Sequence, residues 1–207
     1  MQSEATEAVE LSRENEATKA LYGLDKPETS MFGRQCLLAR RLVERGVRFV
    51  QLYSGGGVFD QSWDAHNGLV HNHEMRGREI DLPIAGLIRD LKQRGLFEDT
   101  LLVFHTEFGR MPFTEGSAGR DHNPHVFTCW LAGGGVKGGI IHGATDEIGY
   151  KVAEKPQYVT DLHATVLQPM GLDYKLMNVV ITDRPFHLIA ACTGPLQDLL
   201  AYLASPI

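Results

Sequence analysis

The feature that most constrains this chain is a long helical stretch that runs almost directly into a short, wholly apolar one. Between residues 69 and 94, Ile80, Ile84, Leu87, Ile88 and Leu91 recur at helical spacing, and Gly95 stops the run. Pro83 must kink this helix or mark its first turn. Thr100-Leu-Leu-Val-Phe-His105 then has the composition of a strand covered on both faces, and Val126-Phe-Thr-Cys-Trp-Leu-Ala132 is a second run of that kind. A third strand is expected at Val47-Arg-Phe-Val-Gln-Leu-Tyr53, which ends in Gly55-Gly56-Gly57.

Two further helices complete the pattern. One is expected from an N-cap at Thr29 or Ser30 to Gly46, and one from Thr160 or Asp161 to near Gly171. On the first, Phe32, Leu38, Leu42 and Val43 form the apolar side, and Arg34, Arg41 and Arg45 read as a solvated face. Strands alternating with helices predict an α/β fold with a mainly parallel sheet covered by helices. Residues 1–28 read as a helical N-terminal arm of short polar helices closed by Gly23, and residues 29–207 as the α/β part. The acidic, polar opening, unlike a signal peptide, suggests a chain that has lost upstream sequence. The tail after Tyr174 carries no clear pattern.

Lysine and arginine total 20 against 26 acids, a formal charge of −6, which excludes a nucleic-acid binder working through a strongly basic face. With 43% apolar and 22% charged residues, the 207-residue chain is not disordered throughout. The three cysteines, Cys36, Cys129 and Cys192, form no CxxC pair, so neither a zinc ribbon nor a disulfide framework is indicated. No stretch reaches the roughly 18 uninterrupted apolar residues of a membrane span.

In open α/β sheets ligands bind beyond the carboxyl ends of the strands, so the polar residues there matter most. Trp63-Asp-Ala-His-Asn67 follows the first strand, Thr106-Glu-Phe-Gly-Arg110 the second, and Gly119-Arg-Asp-His-Asn-Pro-His125 precedes the third. These loops can bring together Asp64, His66, Glu107, Asp121, His122 and His125. Mixed carboxylate and imidazole donors suit zinc, manganese or iron, whereas calcium prefers oxygen alone. Each motif also has an ordinary structural reading: Asp64-x-His66 as a polar turn, Glu107 with Arg110 as a local ion pair, and Asp121-His122 as a turn cap. Convergence at one edge favours the metal reading.

Other motifs carry less. Gly133, Gly135 and Gly138 match GxGxxG, but Gly139-Ile-Ile-His142 reads as a strand, so this is a hairpin turn and not a phosphate loop. Lys137 is followed by Gly138, which excludes a P-loop. His71 and His73 read as surface residues near a helix start, His105 as a hydrogen-bonded core residue, and His163 as a first-turn residue of structural role.

The runs Phe32-Gly-Arg-Gln-Cys-Leu-Leu-Ala-Arg-Arg-Leu-Val-Glu-Arg-Gly46, Trp63-Asp-Ala-His66, Thr106-Glu-Phe-Gly-Arg110, Gly119-Arg-Asp-His122 and Asp161-Leu-His-Ala-Thr165 resemble a large bacterial family. It is the sulfatase-like family known as domain of unknown function 1501. The resemblance implies the C-terminal half of an alkaline phosphatase-like domain, in a family often exported through a twin-arginine signal. It implies a hydrolase using one or more divalent metals, zinc, manganese or similar, on a phosphate or sulfate ester or a modified saccharide. Asp64 and His66 match the superfamily's loop pair, Glu107 its strand-end acid, and His122 or His125 its late histidine. Phe108 stands where a second imidazole is usual, which implies one metal or an altered pair. Arg110 or Arg120 would hold the anionic oxygens in a bidentate fork. The superfamily's nucleophile belongs to an upstream segment, so the alternative is a non-catalytic binding module.

Overall fold

The computed structural model describes residues 7–55, 62–181, 184–187, 189 and 192–200, so Gly56 and Gly57 of the expected glycine loop lie outside the described residues. The chain divides into two compact units, Met1–Thr100 with Phe113–Asp121, and Leu101–Pro112 with His122–Ile207.

The first unit is built mainly from helices. α1 (Glu16–Leu21) is capped by the Asn15 side chain, which accepts from the Thr18 amide at 2.8 Å. α2 (Pro27–Glu44) starts earlier than expected, because Pro27 with its fixed φ occupies the first helical position. Thr29 is therefore not the cap; its hydroxyl donates to the Gly23 carbonyl at 2.6 Å. α3 (Leu69–Gln93) runs through Pro83 without ending there, so proline is tolerated mid-helix rather than marking its start. Phe32, Cys36 and Leu37 of α2, Ile80, Leu87 and Leu91 of α3, and Tyr22 are buried together as the core of this unit. Burial pushes the Cys36 thiol up to about 12.

Between α2 and α3 lies a buried ionic network that the sequence pattern did not announce. Arg40, 2% exposed, pairs with Glu14 and Glu44 at 2.7 Å each and with Asp90 of α3 at 2.9 Å. Asp90 also accepts from the Tyr22 hydroxyl at 2.9 Å and from Arg94 Nε at 2.8 Å. Arg41, expected on a solvated face, is buried: it pairs with Glu14 and donates from Nε to the Ala8 carbonyl at 2.8 Å. Arg34 and Arg45 are exposed as expected. Burial would raise the Glu14 carboxyl, but hydrogen bonds from Arg41 and Arg40 outweigh it and hold that carboxyl below its ordinary range.

The second unit corrects the expected fold class. Its strands form antiparallel pairs, not a helix-covered parallel sheet. β1 (Leu101–Phe104) pairs with β4 (Trp130–Gly133), with Phe104 opposite Trp130 and their rings stacked at 5.4 Å. β5 (Ala144–Thr145) pairs with β6 (Val152–Glu154), and β7 (Asn178–Ile181) with β8 (Arg184–His187), again antiparallel. β2 (Gly109–Glu115) and β3 (Gly119–Asn123) pair with each other, and the tip of that hairpin, Phe113–Asp121, counts with the first unit. Every sheet among the described residues has two strands, so the domain is not alkaline phosphatase-like.

The reason is topological. Parallel neighbours need a crossover of a dozen or more residues, usually a helix, and the chain between Phe104 and Trp130 forms the β2–β3 hairpin instead. Residues 47–53, expected as the first strand, belong to no ladder among the described residues, and neither do residues 140–142. The glycine run is a turn, with Gly133 and Gly135 at φ +93° and +81° and no helix after it. α4 (Val159–Leu167) is capped by Tyr158 rather than Thr160 or Asp161. The buried Asp161 carboxylate accepts from the Tyr158 amide at 2.8 Å and the Thr193 amide at 2.6 Å. Burial opposes ionisation there, but these amides keep its pKa low. No described helix is long and apolar enough to cross a membrane.

Replacing Arg40 with methionine takes one buried cation from Asp90 and Glu14, which keep Arg94 and Arg41, and is expected to destabilise the protein by about 3 kcal/mol, read from urea denaturation. Glu14 has a lowered pKa when folded, so its contribution is present at neutral pH and is lost as pH falls through the folded value. Glu14→Gln should therefore flatten the acid limb of the stability curve while lowering stability at pH 7.

Candidate functional site

The loop 62–68 is held on the tip of the β2–β3 hairpin by backbone bonds. Gly68 and Leu69 amides donate to the Ser117 and Ala118 carbonyls at 2.9 and 3.1 Å, and the Arg120 amide donates to Ala65 at 3.0 Å. Asn67 forms a bridge with Ala118, and its Oδ1 accepts from the Ser117 amide at 2.9 Å and hydroxyl at 3.1 Å. Gly119 is a requirement of this docking: a Cβ there would collide with the backbone of His66 and Asn67. Ala118 takes φ +61°, uncommon for a residue with a side chain.

This docking sets His66 among carboxylates. Its Nε2 lies 3.0 Å from Asp64 Oδ1 and its Nδ1 2.7 Å from Glu115 Oε2. One ligand atom from each of His66, Glu115 and Asp121 lies within 4.8 Å of the others. A neutral imidazole has a single N–H and so donates to only one of these two carboxylates at a time. One imidazole with two carboxylates, His66 with Glu115 and Asp121, is also a donor set that manganese or zinc accepts. Beside the cluster opens a groove of about 590 Å³ at the start of α3.

Of the residues singled out in the sequence, Asp64, His66 and Asp121 thus share one corner of the first unit. Arg120 is there too, half-buried, with Nη1 donating to the Gly119 carbonyl at 2.7 Å. Glu107, Arg110, His122, His125, His105 and His163 belong to the second unit. Glu107 is exposed in the bend after β1. Arg110, half-buried on β2, has its guanidinium 5.7 Å from the Phe108 ring, and the His122 ring on β3 lies 4.1 Å from the same ring. His125 follows β3, exposed, its ring edge-on to Tyr150 at 5.7 Å. His105 is exposed rather than in the core, and its Nδ1 is 3.2 Å from the Thr106 carbonyl. His71 and His163 are exposed, and His73 is half-buried, 5.5 Å from the Trp63 ring.

Glu115 was missed. The signal was present only in hindsight of a turn: Thr114-Glu115-Gly116-Ser117-Ala118-Gly119 is a hairpin tip, and a carboxylate just before it faces whatever docks on the tip. Read as a featureless loop, the segment gives that residue no direction.

A helix pair carrying an acid-and-imidazole cluster on a docked loop and hairpin is the class of unit that these observations define. The whole chain can be placed further: over residues 1–200 it matches the family described as "Protein of unknown function (DUF1501)", and it belongs to that family. No curated protein and no solved structure matches it.

Gly119→Ala should displace the 62–68 loop and cost roughly 1–3 kcal/mol, as overpacking against backbone does. Gly138→Ala, where an added Cβ meets nothing within 4 Å, is the control and should leave thermal stability unchanged.

Proposed function

We propose that the cluster around His66 is a divalent-cation centre serving the hydrolysis of an anionic ester, a phosphate or sulfate. The observation that carries this reading is the convergence of His66, Glu115 and Asp121 ligand atoms within 4.8 Å, with Asp64 on the other edge of the imidazole. His66, Glu115 and Asp121 would hold the ion, and zinc or manganese fits them better than calcium because one donor is nitrogen. A bound ion there supplies Lewis-acid polarisation of an ester oxygen and a more acidic water. Asp64 orients the imidazole from its other nitrogen, and Arg120, beside Asp121 in the chain, would be the guanidinium that meets ester oxygens. The net charge of −6 does not attract an anion, so local charge has to do so.

A second reading has its own support. Asp64 and Glu115 already contact the two nitrogens of His66, which suits a structural tie in a non-catalytic binding module. Metal titration separates the two. Mn²⁺ or Zn²⁺ uptake near one equivalent, weakened roughly 10–100-fold or more by Asp121→Asn or His66→Ala with the fold retained, is the expected result. Absence of uptake, with His66→Ala lowering only the melting temperature, would establish the structural tie. Phosphate- and sulfate-ester turnover by the metal-loaded protein then tests the reaction itself.

A further inference from the structure

Asn67 is the only asparagine in the chain that a glycine follows, and the pair sits in the docked loop next to His66. Glycine carries no Cβ to shield its own amide nitrogen, so in Asn-Gly the side-chain amide lies open to attack from the backbone. Attack of the Gly68 nitrogen on Asn67 Cγ forms a five-membered imide as the Cγ–Nδ2 bond breaks. Nδ2 leaves as ammonia, carrying the proton of the attacking amide. Water then adds to either imide carbonyl and leaves an aspartyl or isoaspartyl residue at position 67. One water is taken up and one ammonia released, with no change of oxidation state.

Both residues are exposed, so water reaches them. The hairpin tip is what restrains the reaction, and it acts through one residue. The Ser117 carbonyl accepts the Gly68 N–H at 2.9 Å, and the Ser117 amide and hydroxyl donate to Asn67 Oδ1 at 2.9 and 3.1 Å. The nucleophile thus has its proton engaged by the tip, and the electrophilic amide is held by its oxygen. The bridge between Asn67 and Ala118 fixes the main chain alongside. Ring closure has to turn the Asn67 side chain and the Gly68 peptide toward each other, which breaks their bonds to Ser117.

We propose that Asn67–Gly68 is a self-modification site gated by the hairpin tip, silent while the loop is docked and converted by deamidation when loop and tip part. Either product adds a carboxylate at the residue next to His66, which Asp64 and Glu115 already contact. The isoaspartyl product also lengthens the main chain by one methylene where it has to match Ala118. The gate itself needs no cation. On the cation-centre reading, an ion would join His66 of the loop to Glu115 and Asp121 of the hairpin and so reinforce the docked state.

The test is the rate of deamidation at Asn67 in the whole chain, kept in mildly alkaline, metal-free buffer and followed by peptide mass spectrometry with isoaspartyl methylation. The folded chain is expected to react roughly tenfold or more slowly than the chain unfolded in guanidinium chloride, because reaction through a locally open state runs at the open fraction. Gly119→Ala, which displaces the loop, should move the rate toward the unfolded one. Ser117→Ala removes only the hydroxyl bond, leaves the backbone docking in place, and should raise the rate severalfold. Equal rates in the folded and unfolded chain, no conversion in the unfolded chain, or folded variants no faster than the parent protein each overturn the proposal. Mn²⁺ titration of parallel samples keeps the two readings apart. A gated rate without Mn²⁺ uptake removes the cation centre alone, and Mn²⁺ uptake with an ungated rate removes the gate alone.

Discussion

The first unit depends on a charge that cannot leave. Arg40 sits almost wholly out of water between α2 and α3, and three carboxylates, Glu14, Glu44 and Asp90, are arranged around it. A guanidinium is costly to bury and stays ionised, so its partners must be in place whenever the helices are packed. The apolar contacts of Leu37 and Leu91 would tolerate small slides of one helix on the other. An ionic network is less forgiving, because it links the segment before α1, the end of α2 and the last turns of α3 at once. It therefore acts as a register pin for the helix pair.

From that pin the site follows along α3. Its C-terminal half is fixed by Asp90, and its N-terminal end at Gly68 is where the 62–68 loop leaves for the hairpin tip. Loop and tip are joined mostly through backbone amides and carbonyls, while the side chains of Asp64, His66 and Glu115 contact one another. Asn72 ties the loop to the helix from the other side through Ser62. The cluster thus stands on a rigid element at one point and on a β-hairpin at another, which suits a site needing fixed donors better than a mobile loop does.

What was legible in the sequence was local. α2 and α3 were readable from apolar spacing and from Gly46 and Gly95 at their ends, because a helix is decided by neighbours a turn apart. Asp64, His66 and Asp121 stand out because each lies in a short polar segment beside an apolar run, where a turn cap and a ligand read alike. The sheet was not legible, since an apolar run such as 101–104 looks the same whether its neighbour runs parallel or antiparallel, and that choice rests on connections far along the chain. Arg41 was misplaced for a related reason: the carboxylate that buries it, Glu14, comes from outside its helix. Glu115 and Asn72 acquire meaning only through what docks against them.

The loss of the alkaline phosphatase-like sheet changes what the family motifs can be taken to mean. Motifs such as Asp64-x-His66 and Arg120-Asp121 were read as marks of one strand edge, and that edge does not exist among the described residues. Yet Asp64, His66 and Asp121 still meet, through a hairpin tip folded onto a helix N-terminus. Donor convergence is set by the docking of two short segments, and it needs no parallel sheet behind it. The chemistry of this protein is therefore better argued from the His66 corner outward, with its carboxylates and its groove, than from any likeness of overall architecture.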